Sequence, residues 1–296
     1  MNVLEKKRKR RWGDLKYGRL LRSLDPLYKF TPFIMREKVD ATNYFLDCIE
    51  ISPLEEYIRQ KRKAGYKGFG LLHVIIAAYL RVVSQRPAAN RFIQGQRIYA
   101  RNNVEVVMAV KQKMSVDAAE SMIKIKFQPN ETVFDVYDRI NEYVESVKNG
   151  AEDNGTDKTA GFLIKLPRFL LRFALAVIRA FDYYGKLPLS LLDVSPFHGS
   201  IVITDLGSLG IKPCFHHIYN FGNVPAFMAF GAKRKENVVE KDGTVTEKKY
   251  VDYTFSLDER ICDGMYFAVL IKEFRNYLRH PEMLETAPEK VVEDVD

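Results

Sequence analysis

Apolar positions along this chain recur with two periods. "ATNYFLDCIEI", residues 41–51, is dense in aromatic and β-branched residues and predicts a strand. "SPLEEYIRQKRKAG" follows, with Leu54, Tyr57 and Ile58 at helical spacing. Ser52 is its predicted N-cap, Pro53 its first helical residue, Glu55 the partner in a capping box, and Gly65 its end. "LLHVIIAAYLRVVSQRP" is apolar nearly all round, which predicts a core helix closed by Pro87, with His73 as a hydrogen-bonded core histidine. "QRIYARNNVEVVMAVKQ" predicts two short strands about the turn Asn102–Asn103. In "NETVFDVYDRINEYVESVKNG", Val133, Val136, Tyr137, Ile140, Val144 and Val147 keep helical spacing, with Gly150 as C-cap and a polar loop over 151–161. "SIVITDL" and "VPAFMAFGA" predict strands, and Asp242–Gly243 a hairpin turn. A last helix is predicted from Gly264 to His280, with Phe267, Leu270, Ile271, Phe274, Tyr277 and Leu278 facing inward. Strands and helices mix without a steady βαβ rhythm, so the class is α+β around one mixed sheet.

One stretch breaks the ordinary pattern. In "GFLIKLPRFLLRFALAVIRAFDYYGKLP", a helix begun at Pro167 places Lys165, Arg168, Arg172 and Arg179 on one stripe. Leu170, Leu171, Phe173, Leu175, Val177 and Ile178 cover the rest. Three roles fit: a helix lying in a membrane interface, a lid over an apolar acyl chain, or a helix buried against the body with its arginines snorkelling out.

Composition narrows the picture. The 296 residues allow one large domain or two small ones. The net charge of +8 is mostly local: "MNVLEKKRKRRW" carries six bases against Glu5, while "PEMLETAPEKVVEDVD" carries six acids against Lys290. The remainder is only mildly basic, so the charge does not indicate a nucleic-acid groove, and no specific nucleic acid is expected. Residues 1–14 read as a basic arm, 15–284 as one domain with an insertion helix over 161–185, and 285–296 as an acidic tail. Cys48, Cys214 and Cys262 lie far apart, which fits buried thiols in a reducing cytoplasm and neither a disulfide framework nor a metal site. No h-region and no run of about 18 apolar residues occurs, so the expectation is a cytoplasmic protein, or one peripheral to a membrane through 162–184.

Several motifs then fall in a telling order: "GSIVITDLGSLGI", "VPAFMAFGAKRK", the Asp-Gly hairpin, "FSLDERICDG" and "MYFAVLIKEFRNYLRHPEML". The series resembles the catalytic domain of the dihydrolipoyl acyltransferases of 2-oxoacid dehydrogenase complexes, and their relative chloramphenicol acetyltransferase. The likeness is clearest over 199–284 and weaker from about 29 to 110. It implies a two-layer chloramphenicol acetyltransferase-like fold, a mixed sheet packed by helices. It also implies a homotrimer with sites between subunits, and coenzyme A or acyl-CoA as substrate with a small thiol, hydroxyl or amine acceptor. Nothing before Lys29 has room for a lipoyl domain, so a stand-alone acyltransferase without covalent lipoate is expected.

The same resemblance assigns residues. Thr204 falls where a hydroxyl stabilises the oxyanion. Asp263 and Gly264 end the D-H-R-x-x-D-G pattern, with Asp258 and Arg260 as further turn residues, and Asp263 chiefly architectural. The base position, however, holds Glu259 where the family has histidine. With ordinary pKa values, moving a thiol proton to a glutamate is uphill by about 6 kcal/mol, against about 3 kcal/mol for histidine. Three readings follow: a desolvated Glu259 as base, a base supplied by another group, or a ligand-binding or scaffold trimer without turnover. "CFHHIYN" places His216 and His217 in an expected strand, where one could serve as the substitute base. "GSLG", Gly207–Gly210, lacks phosphate-loop spacing and reads as a tight turn.

Overall fold

The computed structural model describes residues 9–111, 120–148, 161 and 164–296. The predicted C-cap Gly150 and nearly all of the 151–161 loop lie outside these residues. The elements in chain order are β1 (Gly18–Leu20), α1 (Pro26–Ile34), β2 (Thr42–Glu50), α2 (Ser52–Lys63), α3 (Leu71–Gln85), β3 (Arg91–Gln94), β4 (Arg97–Arg101), β5 (Val104–Lys111), β6 (Glu120–Phe127), α4 (Val133–Lys148), α5 (Arg168–Tyr183), α6 (Leu189–Val194), β7 (Ile201–Asp205), β8 (Ala226–Val239), β9 (Val245–Asp258) and α7 (Gly264–Arg279).

Six strands make the main sheet in the order β2-β9-β8-β7-β5-β6. β7 is parallel to both β5 and β8, and the other pairs are antiparallel, so the sheet is mixed as expected. β1, β4 and β3 form a separate antiparallel sheet. The Asn102–Asn103 turn therefore carries the chain from one sheet to the other rather than closing a hairpin.

Strand alternation decides which side is core. Ile201 and Ile203 of β7, Met228 and Phe230 of β8, and Tyr253, Phe255 and Leu257 of β9 share one buried cluster with α2, α3, α4 and α7. Phe267, Phe274 and Leu278 of α7 are at most 2% exposed within it. Burying each such side chain contributes roughly 1.5–3 kcal/mol. The opposite face holds a smaller cluster of Val107, Val202 and Val224. Tyr44 and Leu46 of β2 stand exposed there. Helices thus form one layer and the sheet the other, and among the described residues the second sheet face is only partly covered.

Three local expectations are corrected. Ile51, not Ser52, is the N-cap of α2, and no side chain caps it. Glu55 turns to Lys233 and Lys249 on the neighbouring hairpin instead of closing a capping box. "CFHHIYN" forms no strand: residues 211–219 are irregular and cross the open sheet face. α5 forms, but it is not buried against the body: Asp182 is its only buried residue, while Phe169 and Phe173 are 71% and 69% exposed. The acidic segment 285–296 runs back along the body. Arg91 clasps the Asp294 carboxylate at 2.6 and 2.7 Å, and Arg22 N donates to Asp296 O at 2.8 Å.

Candidate active site

The turn between β9 and α7 is built from the inside out. Asp258 and Arg260 are 1% and 3% exposed and form a bidentate pair, Nε to Oδ1 at 2.8 Å and a terminal nitrogen to Oδ2 at 2.7 Å. The other terminal nitrogen of Arg260 donates to Met35 O at 2.9 Å. A buried charge pair is tolerable only when such bonds complete it. The pair leaves Glu259 between its members facing outward and half-buried. Glu259 N donates to Ala41 O at 2.8 Å, and its Oε2 accepts from Asn43 Nδ2 at 2.7 Å.

Asp263 caps α7, its Oδ1 accepting from Tyr266 N at 2.8 Å. Tyr28 Oη donates to Oδ2 at 2.5 Å, and chiefly this bond holds the carboxyl below the usual aspartate range. Its placement is that of a turn-fixing residue. Gly264 opens the helix with open space where a Cβ would stand, so no contact among the described residues demands a glycine there. Cys262 beside it is buried, and that burial pushes its thiol far above the ordinary range.

Thr204 lies half-buried at the end of β7, on the sheet face of Val202. It pairs with Ala229, which pairs with Thr254, which pairs with Leu46, so the four form one row. Glu259 is five residues beyond Thr254, or about 17 Å along the strand axis. One chain therefore does not bring Thr204 and Glu259 together.

His216 and His217 differ sharply. His217 is exposed, whereas the half-buried His216 ring stacks on Phe227 with 4.2 Å between centroids. Burial, then His217, lowers the His216 pKa. Cys214, expected to be buried, is exposed, and its Sγ is 3.4 Å from His216 Nε2. His73 behaves as a core histidine, its Nδ1 accepting from Gly70 N at 3.0 Å.

Two polar features were not legible in the sequence. Lys38 is 5% exposed, and burial lowers its pKa to about 7, with Asp258 opposing; its Nζ donates to Gly222 O at 3.0 Å. Ser195, His198 and Asp182 form a hydrogen-bonded series, with Ser195 Oγ 2.7 Å from His198 Nδ1 and His198 Nε2 3.0 Å from Asp182 Oδ1. An S-x-x-H spacing after a short helix hints at the first contact; the second joins residues too far apart in sequence to foresee. An apolar cavity of about 40 Å³ between sheet and helices is lined by Tyr79, Phe255, Phe267 and Phe274. A polar one of about 160 Å³ is lined by Arg101, Glu105 and His198. Neither reaches Thr204 or Glu259. Among the described residues no group of three or more His, Cys, Asp or Glu side chains is placed to hold a metal, and no helix is long and apolar enough to cross a membrane.

Comparison with known proteins completes the picture. Residues 191–286 match the family model of the 2-oxoacid dehydrogenases acyltransferase catalytic domain. Over 86 residues the chain is 31% identical to the dihydrolipoyllysine-residue acetyltransferase component of the pyruvate dehydrogenase complex of Rickettsia typhi, spanning 29% of this chain but only 20% of that relative. A probable dihydrolipoamide acetyltransferase from Listeria monocytogenes superimposes with a TM-score of 0.56 at 14% identity, covering 92% of this chain and 97% of the other. The dihydrolipoamide acetyltransferase of Azotobacter vinelandii, studied for the catalytic roles of a serine, a histidine and an asparagine, gives 0.56 at 14% identity over 89% and 93%. A chloramphenicol acetyltransferase gives 0.51 at 11% identity over 88% and 99%. The fold is thus the chloramphenicol acetyltransferase-like α+β fold, and over residues 191–286 the sequence is similar to the acyltransferase catalytic domain of the 2-oxoacid dehydrogenase complexes.

Proposed function

We propose that this protein is an acyltransferase that moves an acyl group between coenzyme A and a small thiol, hydroxyl or amine acceptor. The family's sequence likeness over residues 191–286 carries this reading, because both Thr204 and the Asp258–Gly264 turn lie inside it. Glu259 stands in place of the histidine. The usual way to strengthen a carboxylate base is deep burial, and Glu259 is only half-buried. We therefore assign the proton of the attacking thiol to a group other than Glu259. The separation of Thr204 from Glu259 supports an oligomer, a trimer in this reading, whose neighbouring copies complete each site. Incubation with a panel of acyl-CoA thioesters should release free coenzyme A. Thr204→Val should lower the rate by about 10²-fold, the size of a lost oxyanion donor. Thermal stabilisation by acyl-CoA without thiol release would favour the rival reading, a ligand-binding trimer without turnover.

We also propose that the protein works at an anionic membrane surface. Leu171, Ala174, Ile178 and Asp182 form the inward side of α5, while Phe169, Phe173, Val177 and Phe181 are exposed. Arg168, Arg172 and Arg179 flank that apolar face. Apolar side chains entering the acyl boundary and arginines meeting acidic headgroups suit such a helix. Leu15 lies against Gly185, which brings the basic N-terminal segment near the end of α5, although Arg11 there is ion-paired to Asp296. Gln96 links Tyr183 to Pro32 of α1, whose Leu27, Phe30, Phe33 and Ile34 are also exposed. The protein should co-sediment with phosphatidylglycerol vesicles but not with phosphatidylcholine vesicles, and Phe169→Glu with Phe173→Glu should abolish it. Absence of vesicle binding, with a change in oligomeric mass in that variant, would make the face a protein interface.

A further inference from the structure

Residues 211–219 cross the open sheet face, and β9 fixes two of them through their backbones. Thr254 Oγ1 donates to Cys214 O at 2.8 Å, and Ser256 Oγ donates to His216 O at 2.5 Å. Thr254 and Ser256 are alternate residues of one strand, so both hydroxyls rise from the same face. The strap can lie this low because Pro213 sits directly on the α-carbon of Gly231, where any Cβ would collide with the proline ring. Phe215, between the two fixed residues, turns to Tyr44 with ring centroids 5.5 Å apart. The His216 ring lies flat on Phe227, 11° from parallel. Stacking fixes the plane of the imidazole and aims Nε2 at the exposed Sγ of Cys214, 3.4 Å away.

We propose that Cys214 and His216 are a nucleophile–base pair that takes the acyl group from a thioester donor as a covalent Cys214 thioester. The inference rests on the acyl-transfer reading above and supplies the base that position 259 lacks. In the first half-reaction His216 Nε2 accepts the Sγ proton and the thiolate attacks the donor's carbonyl carbon. The carbon–sulfur bond to coenzyme A then breaks, and the departing thiolate takes the proton from the imidazolium. One thioester replaces another, so little net free energy changes. In the second half-reaction the acceptor gives its proton to Nε2, bonds to the carbonyl carbon and displaces the Cys214 thiolate, which recovers the proton. Placing nucleophile and base within hydrogen-bond reach is the general requirement for such catalysis. Burial keeps His216 in its neutral, proton-accepting form near pH 7. Exposed Tyr44, Leu46 and Phe215 surround the pair, a setting suited to an apolar acyl chain.

The test uses the full-length protein with acetyl-CoA and octanoyl-CoA, read by intact mass and peptide mapping. Iodoacetamide alkylation of Cys214 is timed in parallel at pH 7, with half-buried Cys48 and buried Cys262 as internal references. One acyl group should appear on the Cys214 peptide, be removed by neutral hydroxylamine, and be absent in Cys214→Ser. Alkylation at Cys214 should fall at least about tenfold in His216→Asn and in His216→Gln, with both variants melting as the parent does. Alkylation that does not depend on His216 overturns the pair. Acyl-CoA turnover by Cys214→Ser at the parent rate overturns the covalent route and leaves acyl transfer standing. No acyl adduct on Cys214 from either thioester, with acyl-CoA turnover intact, also overturns the covalent route, whereas no turnover of any acyl-CoA removes the acyl-transfer reading itself.

Discussion

Asn43 and Glu259 meet across the edge of the main sheet, the Asn43 amide donating to the Glu259 carboxylate at 2.7 Å. Asn43 belongs to β2, which pairs with β9 residue for residue up to Asp258, so the contact extends the strand register into the turn. It gives the Glu259 side chain a positioning partner within the same chain.

If another group takes the thiol proton, Glu259→Gln should change acyl-CoA turnover by less than about tenfold, well short of the 10²–10⁴-fold loss expected on removing a general base. The amide still reaches Asn43 through its oxygen, so the melting temperature should hardly move. Glu259→His should raise turnover if the rest of the site retains the family geometry. A 10²-fold loss in Glu259→Gln would return the base role to Glu259.

The Asp258–Arg260 pair makes a sharper prediction about stability. Asp258→Ala strands a guanidinium that is 3% exposed, and Arg260→Ala strands a carboxylate that is 1% exposed. Breaking a buried pair from one side costs about 3–5 kcal/mol. Asp258→Leu combined with Arg260→Met should recover part of that loss. Recovery is incomplete because Arg260 also satisfies the carbonyls of Met35 and Arg36. Urea unfolding of the three variants measures the differences.

Lys38 should give the fold a rising stability above neutral pH. Its folded pKa is lowered to about 7 by burial, while an unfolded lysine titrates near 10.4. Between these values the unfolded chain binds the proton that the folded chain has lost. Stability from this residue therefore increases with pH, by up to about 1.4 kcal/mol per unit. Below pH 7 the full cost of burying the charge is present. Lys38→Met should be more stable than the parent at pH 7 and should lose the slope between pH 7.5 and 9, as denaturant titrations at fixed pH would reveal.

What the sequence revealed of this fold was local. The Asp-Gly hairpin and the six-residue apolar stripe of α7 are each written within a few residues, and both appear where the pattern puts them. β6 lies outside the predicted elements, although Ile123, Ile125 and Phe127 alternate with lysines, the ordinary mark of a half-buried strand. β1 and β3 are three and four residues long, too short for any period to register. The strand expected at "CFHHIYN" failed for a tertiary reason: both neighbouring sheet positions are taken, and Thr254 and Ser256 bind the segment from below instead. The burial of Lys38 and the exposure of Cys214 depend on residues distant in sequence, which neither composition nor spacing encodes.

Asp182 ties α5 to the body, and its loss should free the helix while the sheet stays intact. It is the only buried residue of α5. Its Oδ1 meets His198 Nε2, its Oδ2 accepts from Gly222 N at 3.3 Å, and its backbone carbonyl accepts from Gln94. Burial lowers the His198 pKa, with the bond to Asp182 opposing. An unfolded chain therefore takes up a proton near pH 6.5 that the folded one resists, and stability falls as the pH drops below that value. Asp182→Ala leaves His198 and Gly222 N without their acceptor, a loss of about 1–3 kcal/mol for each buried group left unpaired. Limited trypsin digestion should then cut at Arg172 and Arg179 well before any site in β7–β9, and Asp182→Asn, which keeps one acceptor oxygen, should fall between the two. Uniform cleavage across the chain in Asp182→Ala would mean that the residue supports the whole domain rather than the helix.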